Sequence, residues 1–111
     1  MIPKNVNVCK IYSDSKHVYA AVNFYEGDIV EMCPSQLVTK SALYDNNVRK
    51  IVFEVDKDNT YVIPFGYCQY YDLSDEYKTP NVDYIWDPNI NTIVIKALRK
   101  IKAGEILVLN A

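Results

Sequence analysis

Two segments far apart in this chain carry the same punctuation: Ala20–Val30, "AAVNFYEGDIV", and Ala97–Leu107, "ALRKIKAGEIL". Both read A-x-x-x-Φ-x-x-G-[D/E]-I-Φ, where Φ is apolar. The physical reading is the same in each. A strand ends at the alanine, an apolar residue (Phe24 or Ile101) anchors the connecting loop, and a glycine (Gly27 or Gly104) permits a turn through positive φ. A carboxylate and a new apolar strand follow. Two such strand–turn–strand units constrain the chain to a small, pseudo-symmetric β fold.

The rest of the chain agrees with that reading. Asn5–Tyr12, "NVNVCKIY", alternates polar and apolar residues with period two, and Val18–Asn23, Asp28–Met32, Arg49–Val55 and Tyr61–Pro64 are further strand signals. "VDYIW" and "TIVIKA" flank "DPNIN", whose Asp87, Pro88 and Asn89 are turn formers, so Val82–Ala97 reads as a hairpin. Ile106–Leu109, "ILVL", supplies a last apolar strand. Only Pro34–Tyr44, "PSQLVTKSALY", has a helical spacing, at Leu37, Val38 and Leu43. The expectation is a mostly β single domain over residues 1–111, with one or two helical turns in that segment.

Length and composition exclude several classes. The chain has 111 residues, half of them hydrophobic, which suffices for a core without disulfide staples. A net charge of -2 argues against a general nucleic-acid binder. The basic run Lys96, Arg99, Lys100 and Lys102 reads as a solvated strand end. Three scattered cysteines (Cys9, Cys33, Cys68) and one histidine give neither a disulfide framework nor a zinc set, so no metal site is expected. Cys33 and Cys68 have no histidine nearby in sequence to activate a thiol. Asp72, Asp75 and Glu76 read as a solvated acidic loop rather than a cation site, and His17 as an exposed loop histidine. There is no signal-peptide-like run and no apolar stretch near the roughly 20 residues that span a membrane. The expectation is a soluble, cytoplasmic protein with no nucleic-acid or membrane partner.

The spaced motifs carry a resemblance. The repeated unit, "GYCQYYDLS" at Gly66–Ser74, then Pro80-Asn81-Val82, then Ala97, Arg99, Ile101, Gly104, Glu105 and Asn110, occur in the order found in SET domains. That is the fold of many lysine methyltransferases that use S-adenosylmethionine. The chain resembles in particular the very short viral and bacterial members without zinc-binding flanks. The resemblance covers about residues 6–111. It implies a β-clip of small curved sheets, with the C-terminal segment making a pseudoknot-like crossing beneath the Asn-His-Ser motif region. Ile106–Leu109 is therefore expected to be buried and to pass close to Tyr71–Ser74.

The resemblance also exposes departures. The family's cofactor-approaching Gly-x-Gly falls on Ser15-Lys16-His17, and its Asn-His-Ser on Asp72-Leu73-Ser74. These five motif positions, Ser15, Lys16, His17, Asp72 and Leu73, are the cofactor-binding candidates. The family's final tyrosine falls on Ala111, with no later residue expected to stand in for it, which leaves Tyr70 and Tyr71 as candidate catalytic substitutes. Tyr67, Tyr84 and Trp86 are candidates for an aromatic substrate channel, or are amphipathic strand residues packing on the core. Methyl transfer to an amine depends on positioning, and the departures fall on positioning devices. Three readings follow. The first is a degenerate SET-like protein-binding or assembly module with little or no methyltransferase activity and no cofactor, binding a protein or peptide and forming a homodimer through the apolar faces of "NVNVCKIY" and "TIVIKA". The alternatives are an S-adenosylmethionine-dependent lysine methyltransferase with a rebuilt site and a different β-clip ligand-binding domain.

Overall fold

The computed structural model describes residues 10–38, 53–55 and 61–110. Its regular elements are strands and one short 3-10 turn, with no α-helix among the described residues. Strands β1 (Ile11–Ser13) and β2 (Val18–Ala20) form an antiparallel pair. Seven strands form the main sheet: β3 (Ile29–Val38), β4 (Phe53–Glu54), β5 (Tyr61–Pro64), β6 (Asp72–Leu73), β7 (Val82–Asp87), β8 (Thr92–Ala97) and β9 (Val108–Leu109). Their spatial order is β4-β5-β3-β8-β7-β9-β6.

The repeated sequence unit becomes a reciprocal knot of backbone bonds. Phe24 and Ile101 exchange both N–H···O bonds, at 2.8 and 2.9 Å. The Ala20 N–H donates to the Glu105 carbonyl, and the Ala97 N–H to the Asp28 carbonyl, both at 2.9 Å. Gly104 N–H reaches the Ala20 carbonyl as Gly27 N–H reaches that of Ala97. The Asp28 and Glu105 carboxylates each cap the loop three residues back, at the Tyr25 and Lys102 N–H. Both glycines take positive φ, +86° and +94°, where a side chain would be strained. The two units are thus related by a local pseudo-two-fold, with Phe24 and Ile101 buried at its centre. Ala20, Val30, Ala97 and Leu107 are buried in the same cluster, so the pairing also closes the core.

The segment Pro34–Val38 is not helical. It is the second half of β3, and residues 39–44 lie outside the described residues. The reason is pairing. β3 runs antiparallel to β8 as far as Pro34↔Thr92, then pairs with β5 from Ser35↔Pro64 to Val38↔Tyr61. Pro34 sits where one partner strand gives way to the other, and its carbonyl accepts from the Phe65 N–H at 2.8 Å. Two long-range pairings outweigh a weak local helical pattern.

The Val82–Ala97 hairpin forms as expected, with register from Val82↔Ala97 to Asp87↔Thr92. Of "NVNVCKIY", residues 5–9 lie outside the described residues, Ile11 is buried and Tyr12 exposed in β1. Of 49–55, only 53–55 are described. The C-terminal crossing is present: β9 runs parallel to β6, with Asp72↔Val108 and Leu73↔Leu109, and touches β7 at Val82↔Leu109. Asn81 ties the crossing. Almost fully buried, it donates through Nδ2 to the Ile106 carbonyl (2.9 Å) and accepts through Oδ1 from the Val108 N–H (2.8 Å).

Candidate functional site

The crossing brings two distant loops together. The loop between β1 and β2 is organised by Asp14, whose Oδ1 accepts from the Lys16 and His17 N–H groups, both at 2.9 Å, and whose Oδ2 accepts from the Tyr19 hydroxyl at 2.7 Å. The Tyr19 hydroxyl, followed by the backbone N–H of His17 and Lys16, holds the Asp14 carboxyl down at about 2. The same bond raises the Tyr19 phenol above its ordinary value. Ser15 keeps a positive φ of +89° inside this turn, a conformation in which glycine is at ease and a serine is not. The backbone at this candidate position thus has the shape that a glycine would favour.

His17 follows Ser15 and is half-buried rather than an exposed loop residue. Its Nδ1 lies 2.8 Å from Asp72 Oδ1, and Lys78 Nζ lies 3.0 Å from Asp72 Oδ2. Asp72 has only 9% of its side chain exposed. Burial by itself would raise its carboxyl, but the bonds from His17 and Lys78 outweigh that and keep it below the usual carboxylate range. An ionised carboxylate only accepts, so His17 donates from Nδ1. Two of the cofactor-binding candidates, His17 and Asp72, are therefore bonded to each other. The partnership is 55 residues apart in sequence and leaves no local signal. Lys78 was not among the candidates. Asp75, which caps the Tyr77 and Lys78 N–H groups through Oδ1, holds the loop that delivers it. No group of three metal-ligating side chains is present among the described residues.

The tyrosine candidates separate. Tyr71 is buried, and its hydroxyl donates to Glu31 Oε1 at 2.7 Å. Glu31 Oε2 accepts from the Tyr67 N–H at 2.8 Å, and Gly66, at φ +134°, leaves room for it, since a Cβ there would lie 2.6 Å from that oxygen. Tyr70 is 67% exposed. Tyr67 and Tyr70 wall two clefts. One, of about 210 Å³, is completed by Ser13, Ser15 and Lys16. The other, of about 390 Å³, is completed by Pro64, Phe65, Gly66 and Gln69. Tyr84 and Trp86 line neither; both pack on the core, Tyr84 with its ring 4.6 Å from that of Phe53. Leu73 is half-exposed and serves by its backbone pairing with Leu109. Ala111 lies outside the described residues. Cys33 is buried.

Comparison with known proteins places this arrangement. The family model described as "SET domain" matches residues 15–110, and the chain belongs to the SET-domain family. A Plasmodium falciparum protein assigned as a histone methyltransferase has a similar structure, with TM-score 0.72, 21% identity and 94% of each chain covered. The structure of CpSET8 from Cryptosporidium is similar at TM-score 0.65 and 21% identity, covering 90% of this chain and 55% of that one. The methyltransferase domain of human PR domain-containing protein 2 follows at 0.60 and 17%, covering 86% and 67%. At these identities the likeness speaks for the fold. No curated protein sequence matches the chain significantly. No helix among the described residues is long and apolar enough to cross a membrane.

Proposed function

We propose that this chain is a SET domain that acts as a protein-binding module and transfers no methyl group to lysine at a useful rate. The observation that carries the reading is the His17–Asp72–Lys78 cluster. SET methyltransferases use S-adenosylmethionine, and the residues at the motif positions here do not fit it. Both Asp72 oxygens are already bonded, one to His17 and one to Lys78. A ligand ammonium would have to displace Lys78, and a ligand carboxylate would meet a buried anion where the family offers an amide. The cleft beside Ser15 and Lys16, about 210 Å³, is smaller than the roughly 300 Å³ at which small-molecule sites begin.

The larger cleft supports the binding role. Phe65 and Tyr70 are exposed beside Tyr67 and Pro64, giving a largely apolar, aromatic recess that Gln69 also lines. Such a recess suits an extended peptide with a bulky side chain. A second reading, a lysine methyltransferase with a rebuilt site, is favoured by one feature: Tyr67 and Tyr70 share a cleft with Ser15 and Lys16, so two motif regions do meet.

Two experiments test the proposal. Incubation with labelled S-adenosylmethionine and a mixed protein pool is expected to label no lysine; stoichiometric labelling that disappears in Tyr70→Phe would establish the second reading instead. A peptide display library selected on the wild-type protein is expected to yield sequences whose binding is lost in Tyr67→Ala/Tyr70→Ala. Enrichment indifferent to both substitutions would remove the cleft from the account.

A further inference from the structure

The smaller of the two tyrosine-walled clefts is lined by hydrogen-bond donors and a cation, and we infer that it takes a side-chain carboxylate of the bound peptide. This rests on the peptide-binding reading above and gives the partner its chemistry: an aspartate or glutamate close to the bulky apolar residue that fills the larger cleft.

The local sequence makes the shared wall. In "GYCQY", Gly66 takes φ +134°, and the chain then turns through the 3-10 segment Tyr67–Gln69, closed by the Tyr70 N–H to the Tyr67 carbonyl at 2.8 Å. Residues three apart in such a turn lie above one another, which is why Tyr67 and Tyr70 border the same clefts. Glu31 holds the turn through the Tyr67 N–H, and Gln69 Nε2 ties it to the Pro64 carbonyl at 2.6 Å. One cleft continues into Pro64, Phe65 and Gly66; the other meets the β1–β2 loop at Ser13, Ser15 and Lys16. An extended segment presents side chains i and i+2 on one face, so a single peptide can fill both.

The polar inventory decides what enters the smaller cleft. Among the described residues, Lys16 has no ion pair, and the Ser15, Tyr67 and Tyr70 hydroxyls have no hydrogen-bond partner. Ser13 Oγ already donates to the His17 carbonyl at 3.1 Å. No residue lining either cleft is acidic. Both carboxylate oxygens of Asp14, Glu31 and Asp72 are bonded inside the protein. An entering ammonium therefore meets a lysine and no open carboxylate. An entering carboxylate gains a cation and hydroxyl donors, and hydrogen bonds to a charged group are the stronger kind. That preference is the reverse of what a lysine side chain would need. Asp14 stays ionised in the loop that carries Lys16, so the two charges largely cancel at a distance and the preference acts at contact range. At about 210 Å³ the cleft is below the size of a whole small-molecule site and suits one side chain.

Peptides selected by display on the wild-type protein, then resynthesised with an acetylated N-terminus and an amidated C-terminus, test this, since side chains then hold the only carboxylates. The selected sequences are expected to carry an acid close to the apolar anchor. Replacing that acid by its amide is expected to raise the dissociation constant, read by fluorescence anisotropy, about three- to tenfold on the wild-type protein. That lies between an exposed ion pair and a fully made charged hydrogen bond. On Lys16→Gln the two peptides are expected to bind alike, and Lys16→Arg to restore the difference. Lys16 makes no side-chain bond among the described residues, so both variants are expected to unfold at the wild-type temperature. Lys100→Gln, at an exposed position off both clefts, is the control and leaves the difference unchanged. Selection indifferent to Tyr67→Ala/Tyr70→Ala removes the peptide-binding reading and this inference with it. Binding that needs the two tyrosines but selects no acid overturns this inference alone. So does an acid-to-amide loss that persists in Lys16→Gln, or one that Lys100→Gln abolishes equally.

Discussion

Replacing Asn81 with alanine isolates the bonds that hold the C-terminal crossing. Asn81 is 2% exposed, and its amide serves both sides of the crossing strand: Nδ2 donates to the Ile106 carbonyl and Oδ1 accepts from the Val108 N–H. Truncation leaves both backbone groups without these partners. A buried polar group left unsatisfied costs about 1–3 kcal/mol. The Ile106 carbonyl, on a half-buried residue, belongs near the bottom of that range, and the buried Val108 N–H near the top. The expected loss is about 3–4 kcal/mol, a large share of the roughly 5–15 kcal/mol that stabilises a domain. At about 4 °C per kcal/mol for a chain of this size, Tm falls by about 12–16 °C. Urea unfolding is the assay, with the midpoint shifting at constant slope if the denatured state is unchanged. Asn110→Ala, which removes one exposed bond of 3.3 Å to Asp83, is the control and should stay within about 0.5 kcal/mol. A loss below about 1 kcal/mol for Asn81→Ala, with the crossing intact by nuclear magnetic resonance, would refute the assignment of Asn81 as its tie.

A double-mutant cycle on His17→Ala and Asp72→Asn should return a coupling of about 1 kcal/mol between these positions; additive effects would mean that the pair does not interact in solution. Asp14 and Asp72 both have carboxyls held below their unfolded values, so they contribute stability that is present above about pH 4 and lost as pH falls toward each folded value, near 2 for Asp14. Tyr19, whose phenol is raised, contributes stability lost only as pH climbs above its unfolded value near 10. Tyr19→Phe should therefore move the Asp14 titration upward toward the ordinary carboxylate range, read by nuclear magnetic resonance; an unmoved Asp14 would exclude the hydroxyl as the main cause. Gly66→Ala combines a φ of +134° with a Cβ 2.6 Å from Glu31 Oε2, and should cost about 2 kcal/mol or more in thermal unfolding; a neutral result would show that Glu31 yields freely.

Much of the fold was legible because its determinants repeat or lie close together. The A-x-x-x-Φ-x-x-G-[D/E]-I-Φ unit announces its own partner, since two copies that end strands in the same way can exchange the same backbone bonds, as Phe24 and Ile101 do. The Val82–Ala97 hairpin was equally readable from its turn residues. Pro34–Val38 was not, because what makes it a strand is the change of partner from β8 to β5, which no local pattern records. The site was readable as a set of motif positions and not as a set of contacts. His17 and Asp72 each looked like an isolated loss, and only the crossing shows them as a bonded pair. Tyr70 and Tyr71 looked equivalent in sequence, yet the partly buried Glu31 carboxylate takes the Tyr71 hydroxyl, and Tyr70 stays on the surface. Tyr84 and Trp86 pack as strand residues whose inward faces belong to the core.

The central claim is that the protein's own side chains occupy the motif positions a cofactor would need. Titration calorimetry with S-adenosylmethionine tests it most directly, at about 100 µM protein and millimolar ligand. The account predicts no saturable heat for the wild-type protein. Saturable one-to-one binding with a dissociation constant below about 100 µM, competed by S-adenosylhomocysteine, would contradict it.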